Sequence, residues 1–544
     1  MTENRNDRIH GVLALLVLGL LAYLPALRGG FIWDDDVYVS SNQLLHSLDG
    51  LRRIWFEVGS FRQYYPLSLT AFWLQFKVFG LNPFGYHLVN VLGHACTGVL
   101  LWRLLRFLGL PWAWFAAAVY VVHPAMLEGV AWITELTAVL SGLFYLAALF
   151  VCAAAFHLGQ AAEPEPTASN WPRPPVLLAG LGLFLCALLA KTSVSTFPAA
   201  LALLIWWRRG TIRRQEWLAL LPFFALSISM GLLAMSMERT LGAKGTEFAF
   251  SAAERLLIAG RAWWFYIGKL LWPQGILFSY VKWEIDVASV LAWLYPATAL
   301  AAVAGLWGLR RRLGRGPLTA LLFYSGTVLP FLGFINVYYM RYAYVAQHFQ
   351  YLAGIGIIVL VVATLARLAQ RIPNLPQPAL RLAALTVLGL LASVTFDRTL
   401  PYRNNATLYT DILASNPRSI IALNNYAILL SEMGRHEEAI DHFLKLFRVA
   451  PNHYQAMTDL GRTLGLLGRH EEAIAWLRKA LELAPGESRT YNNLGVSLAA
   501  LERWEESRAA LRQALQRKPD NAEALDNLRN IEAFLREKET EKAR

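Results

Sequence analysis

Charge is scarce in this sequence. Only 16% of its 544 residues are Asp, Glu, Lys or Arg, while 56% are hydrophobic. That balance excludes intrinsic disorder and fits an ordinary soluble enzyme poorly. Cysteine is scarcer still. Cys96, Cys152 and Cys186 all fall inside apolar runs, as small buried hydrophobes do, with no disulfide framework and no metal-ligand spacing. Also missing are a Gly-x-x-x-x-Gly-Lys phosphate loop, a His-Glu-x-x-His zinc motif and a Gly-x-Ser-x-Gly elbow, so an ATP-driven pump or a hydrolase has no visible engine. Acid is the minority sign: 50 Lys and Arg stand against 38 Asp and Glu, a net +12. This excess does not point to nucleic acid. Many of the cations lie between long apolar runs, where they orient helices in a bilayer.

What is present is an abundance of such runs. A helix needs about 20 apolar residues to cross hydrocarbon. Apolar spans are expected near 9–27, 86–106, 110–123, 137–157, 175–190, 193–207, 217–236, 289–308, 317–334, 351–369 and 380–396. The first, preceded by Arg5 and Arg8, also has the outline of a secretory signal, but its length and the spans behind it favour an uncleaved helix. Three basic clusters mark one side as cytoplasmic: Arg208, Arg209, Arg213 and Arg214; Arg310, Arg311, Arg312 and Arg315; and Arg367, Arg371 and Arg381. They agree only if segment 254–272, with Arg255, Arg261 and Lys269, lies along the outer interface instead of crossing. The expectation is eleven crossings, with a cytoplasmic N-terminus and outer loops at 28–85, 123–136, 237–288 and 335–350. A crossing at 254–272 would reverse everything after it.

Near residue 400 the composition turns amphipathic. Pro417, Pro451, Pro485 and Pro519 are spaced 34 residues apart, and Gly-Arg-His-Glu-Glu-Ala-Ile at 434–440 recurs at 468–474. This is the period of the tetratricopeptide repeat, which unrelated helical hairpins would not keep. The chain therefore reads as all-α: a polytopic membrane domain at 1–400, a repeat solenoid of three repeats and a capping helix at 401–538, and a charged tail at 539–544.

Candidate chemistry concentrates in the outer loops. Phe31-Ile32-Trp33-Asp34-Asp35-Asp36 follows the first span; three adjacent carboxylates shift one another's ionisation and suit a general base or a metal ligand, or else merely a solvated turn. Segment 123–135 brings His123, Glu128 and Glu135 to the same side. Ionisable groups at membrane depth point to function, although either acid alone could simply cap a helix. Lys191, Arg261, Lys269 and Arg341 offer cations for an anion such as a lipid phosphate, against the alternative of snorkelling to ordinary headgroups. His87, Asn90 and His94 share a helix face and read as a hydrogen-bonded helix contact more than as ligands.

Further motifs are Tyr65-Pro66-Leu67, Phe79-Gly80-Leu81-Asn82-Pro83, Gly85-Tyr86-His87, His123-Pro124 with Glu128 and Trp132, Ala190-Lys191, Leu271-Trp272-Pro273, and Gln347-His348-Phe349-Gln350-Tyr351-Leu352. In this order, and with the repeats behind, the chain resembles the class C membrane glycosyltransferases with tetratricopeptide repeats, a group that includes the transmembrane O-mannosyltransferases and bacterial relatives. The resemblance implies transfer of a monosaccharide, such as mannose, from a polyprenyl-phosphate donor to a hydroxyl, with inversion at the anomeric carbon. It assigns catalysis to Asp34 and Asp35, assisted by Glu128 or Glu135, and donor-phosphate binding to Lys191, Arg341, Arg261, His348 and Tyr351. It departs from the family's pattern at Thr192 and Gln347, where acids are common, and lacks an arginine between Tyr65 and Pro66.

The expected acceptor is Ser or Thr of exported polypeptides on the periplasmic side of a bacterial inner membrane, presented by the repeats. Asn424, Asn425, Asn492 and Asn493 are candidates to hold its backbone, or to pack the repeats. No cofactor beyond the lipid-linked sugar is implied, and a divalent metal stays open. The competing expectation is a membrane-anchored scaffold whose repeats assemble partners without catalysis; a transporter would show internal repetition among the spans, which is not visible.

Overall fold

The computed structural model describes residues 5–159, 172–243, 245 and 248–543. These form helices without strands and divide into two compact units, Met1–Asn404 and Asn405–Arg544.

The first unit begins with α1 (Arg5–Ala22), followed in the 28–85 region by α2 (Leu48–Phe56) and α3 (Pro66–Phe79). Next come α4 (Pro83–Phe107), α5 (Ala113–Val122), the short α6 (Leu127–Ala131), α7 (Leu136–Ala155), α8 (Pro174–Ala190) and α9 (Phe197–Arg209). The unit continues with α10 (Arg214–Thr240), α11 (Ala252–Leu271), α12 (Val290–Leu313), α13 (Gly316–Val328), α14 (Gly354–Ala369) and α15 (Gln377–Thr399). Local chemistry sets many of these ends. Pro occupies the first turn of α3, α4, α8 and α9, where its missing N–H costs nothing. Asn82 Oδ1 accepts Phe84 N at 3.1 Å before α4. Ser251 and Glu254 form a reciprocal capping box on α11. Gly210, at φ 84°, ends α9 in the left-handed region.

Among the described residues, five helical segments are long and apolar enough to cross a membrane: Pro83–Phe107, Ile133–Ala155, Arg214–Thr240, Val290–Leu313 and Gln377–Arg403. A sixth is added if Ala113–Val122 and Pro124–Ala131, bent by 56°, are one broken span. Eleven were expected. The difference lies in helix length and charge. α8, α9, α13 and α14 have 13 to 17 residues, and at about 1.5 Å per residue reach about 20–26 Å against a core of about 30 Å. α1 carries Arg5, Asp7 and Arg8 within its 18 residues. The segment at 254–272 is one continuous helix, α11, and is not among the five.

These helices are apolar in two different ways. α7 buries Leu136, Val139, Tyr145, Leu149 and Cys152 inside the unit. α12 buries nothing: Leu291 and Leu300 are 74% and 73% exposed. In water so apolar a face would drive aggregation, whereas hydrocarbon satisfies it. This is the construction of a multi-pass membrane protein.

The second unit is a stack of helical hairpins: α16 (Asn405–Ser415), α17 (Ile420–Glu432), α18 (His436–Val449), α19 (Tyr454–Leu466), α20 (His470–Leu483), α21 (Ser488–Ala500), α22 (Trp504–Arg517) and α23 (Ala522–Ala543). Ala439 and Ala473 are fully buried, and a Cβ on Gly461 or Gly495 would meet Leu477 or Leu511 at 2.5 and 2.7 Å, so small residues set the helix spacing. Thr458 and Thr490 hydroxyls meet at 2.8 Å between neighbouring repeats. Of the segment 539–544, residues 539–543 continue helix α23, which runs through Ala543, and Arg544 lies outside the described residues.

Candidate active site

The turn after α1 brings an acidic residue back onto its own chain. Trp33 sits at φ 52°, an uncommon place for a bulky side chain, and the reversal lets Asp35 Oδ2 accept Ile32 N at 2.9 Å. The Trp33 ring lies 4.8 Å from that of Phe278, which holds the turn against the long loop after α11. Asp35 is fully buried. Its Oδ1 accepts both the backbone N–H and the hydroxyl of Thr134, at 2.8 and 2.7 Å. Burial raises this carboxyl to about 7, against the pull of three donors that favour the charged form. Asp34 faces outward, 41% exposed, with Arg62 at 3.5 Å. Its crowded surroundings raise its pKa, and Arg62 opposes the rise. Asp36 turns away and accepts Val37 N.

Thr134 precedes Glu135, so the link to Asp35 also fixes the next carboxylate. Glu135 Oε2 accepts Lys191 Nζ at 2.7 Å, and its other oxygen lies 3.9 Å from His348 Nε2. His348 Nδ1 meets Glu128 Oε1 at 2.8 Å, and its backbone N–H donates to Glu128 Oε2 at 3.1 Å. Segments far apart in sequence thus form one buried chain, Lys191–Glu135–His348–Glu128. The pair Lys191 and Glu135 is only 12% and 7% exposed. Trp132 and Tyr339 pack their rings against His348 and exclude water from it.

A second line of contacts adjoins the first through Thr192. Tyr38 Oη donates to Gln63 Oε1 at 2.7 Å, Gln63 Nε2 donates to Glu238 Oε1 at 3.2 Å, and Tyr338 N donates to Glu238 Oε2 at 3.0 Å. Gln63, Tyr64, Tyr65, Thr192, Met237 and Glu238 line a narrow cleft. The sequence reading singled out neither Glu238 nor Thr134. Glu238 had a usable signal, an acid in the last turn of a long apolar helix. Thr134 had none, because a hydroxyl between Ile133 and Glu135 is ordinary in itself.

The remaining candidates lie elsewhere. Tyr351 is buried between Gly129 and Gly142, with its hydroxyl 2.8 Å from His94 Nδ1, so it braces helices. His94 Nε2 also meets Val121 O, and Asn90 donates to the carbonyls of Val130, Trp132 and Ile133, so both make helix contacts. Arg261 stacks 4.4 Å above Trp283, and Arg341 lies 5.0 Å from the Tyr338 ring. Gln347 bonds to Tyr280 and Gln350. In the repeat unit Asn424 donates to Asn425 at 3.2 Å, while Asn492 is buried and accepts from Asn527 at 2.9 Å, a bond that packs one repeat on the next. Asn493 lies beside it, half-buried. Among the described residues no three His, Cys, Asp or Glu side chains are gathered as metal ligands.

The repeat unit matches family models of the tetratricopeptide repeat at residues 418–486 and 464–531. The match to whole proteins is broader. A protein O-mannosyl-transferase of Caenorhabditis elegans is 23% identical over 477 residues, covering 83% of this chain and 64% of that protein. The human protein O-mannosyl-transferase TMTC1 is 25% identical, covering 83% and 56%, and the mouse TMTC3 protein is 24% identical, covering 85% and 54%. Over most of its length this chain is similar to proteins named protein O-mannosyl-transferases. It spans 54–64% of the length of those relatives, less than two thirds of each. The alignment extends well beyond the repeats, which occupy only the second unit, so the likeness includes the helices that carry the acid-and-cation chain.

Proposed function

We propose that the protein is a membrane glycosyltransferase that moves a monosaccharide, mannose by analogy with its relatives, from a polyprenyl-phosphate donor to a Ser or Thr hydroxyl. The single observation behind this reading is the buried convergence of Asp35, Thr134, Glu135, Lys191, His348 and Glu128, in which bonded partners lie up to 220 residues apart. Buried charge is expensive and is retained where it does chemistry. Within the aspartate pair the roles divide by exposure. Asp34 can reach an acceptor hydroxyl and serves as the base, whereas Asp35, with both oxygens committed, orients it. Lys191, with Arg341 nearer the surface, offsets the charge that develops on the leaving phosphate. The base attacks from one face and the phosphate leaves from the other, which inverts the anomeric centre. A carboxylate is a weak base, so positioning and leaving-group stabilisation carry most of the acceleration.

In this reading the spans number about eleven, with the bilayer thinning around the shorter helices and neighbouring loops completing them. The domain runs from 1 to about 400, the bilayer is a bacterial inner membrane, and the acid cluster and the repeats face the periplasm. The repeats bind the acceptor, with Asn425 and Asn493 better placed than Asn492, whose amide is already committed. Mass spectrometry of exported glycoproteins tests the activity. Cells carrying the gene should yield hexose-modified Ser or Thr that disappears with Asp34→Asn. An unchanged glycoprotein profile on deletion would leave the membrane-anchored scaffold as the better reading.

A further inference from the structure

One large apolar cavity is used by none of this chemistry. It lies among α4, α7, α9, α13 and α14 and encloses about 890 Å³ of space not filled by protein atoms, measured out to its opening. Its walls are nearly free of polar groups, and its long dimension can be read from one helix. On α14 the lining residues run from Ile355 through Val359 and Ala363 to Arg367, a single stripe with twelve residue steps from end to end. At 1.5 Å per residue that is about 18 Å, the length of an extended acyl chain of about fourteen carbons.

The two ends differ. Toward Ile355 the walls are aliphatic and aromatic. At the other end Arg367 lines the rim and donates to Leu313 O at 3.4 Å, while Arg208 in the last turn of α9 and Arg315 before α13 are further cations outside the lining itself. Arg208 donates to Leu108 O and Gly159 O at 3.5 and 3.2 Å, and Leu108 is itself a wall residue. Arg315 precedes the wall residues Gly316 and Pro317 and stacks over Trp206 at 5.9 Å. An apolar slot one chain long, with guanidinium groups around one mouth only, is complementary to a lipid that carries an anionic head on an acyl tail. Basic pockets between membrane helices bind such headgroups. We propose that this cleft holds one acyl chain of an anionic phospholipid of the leaflet facing the arginine clusters, with its phosphate at Arg367, Arg315 and Arg208. The site is separate from the donor's, and it depends on the membrane reading alone.

Native mass spectrometry of the full chain in mild detergent tests it, with phosphatidylglycerol and phosphatidylcholine of identical acyl chains as probes. The wild type should retain phosphatidylglycerol about fivefold more tightly per engaged arginine than phosphatidylcholine. Arg367→Gln should lower phosphatidylglycerol binding by about that factor and leave phosphatidylcholine unchanged. Ala363→Trp, which fills the slot, should abolish retention of both while leaving the melting temperature of the repeat unit unaltered. Equal binding of the two lipids by the wild type would overturn the proposal. So would full retention by a folded Ala363→Trp protein, or displacement of phosphatidylglycerol by added polyprenyl phosphate, which would make the donor's tail the occupant. Should Ala363→Trp not fold, the Arg367→Gln comparison decides alone.

Discussion

The two units use ion pairs in opposite ways. In the repeat unit Arg435–Glu438, Arg469–Glu472 and Arg503–Glu506 are the same pair three times over, each local, exposed and one period apart. In the membrane unit Lys191–Glu135 joins residues 56 apart and His348–Glu128 residues 220 apart, and both are buried. An exposed pair between neighbours on a helix is screened by water and adds little, so repetition can copy it freely. A buried pair is a commitment: losing one partner strands the other in low dielectric. The recurring pairs of the repeats lie on the surface, whereas these two pairs of the membrane unit tie distant segments together.

The largest effect expected from breaking this comparison follows Lys191→Met. Leaving Glu135 unpaired in the buried cluster should cost about 3–5 kcal/mol of stability, read as a lowered melting temperature of the membrane unit in detergent, together with loss of transfer. A smaller loss than that from a repeat-surface variant would mean the pair is not buried in solution. Next comes Asp35. Its carboxyl, raised to about 7, holds its proton more tightly in the folded protein than in the unfolded chain, where about 3.9 is ordinary. This group therefore removes stability as pH rises from about 4 to about 7. Wild type should lose melting temperature relative to Asp35→Asn between pH 5 and pH 8; parallel curves would contradict the raised value.

Thr134→Val removes one of the three donors to Asp35 and should cost about 1–3 kcal/mol. It should lower transfer while leaving glycoprotein binding to the repeats unchanged. In the repeats a comparable loss has a steric cause. Gly461→Ala forces a methyl against Leu477 and should cost about 1–3 kcal/mol by overpacking, measured by denaturant unfolding of the full chain. Smallest of all, Arg469→Ala breaks one repeated surface pair and should leave unfolding within error of wild type. A large shift there would erase the contrast between the units.

Legibility in the sequence follows the same division. The repeat boundaries were readable because each hairpin packs on the next at a constant spacing, so Pro417, Pro451 and Pro485 recur with the structure itself. The motifs of the membrane unit were readable as unusual residues: acids after a span, a lysine between two apolar runs. Their partners were not. Nothing local ties Thr134 to Asp35 or Gln63 to Glu238, and the role of Tyr351 as a brace beside His94 emerges only when two glycines let its ring in. Span number is where the two differ: apolarity is a property of windows, whereas only five helical segments, or six with the bent pair, are long and apolar enough by themselves among the described residues.

Composition and periodicity alone determined that this chain is helical, that its first four hundred residues are built for hydrocarbon, and that the rest repeats every 34 residues, because these depend on neighbours along the chain. Only the tertiary structure decided which of the two adjacent aspartates is exposed, which cation meets which acid, and where space is left for a lipid. Those outcomes depend on distances between residues tens to hundreds of positions apart, and a low-dielectric interior gives such distances their energetic weight.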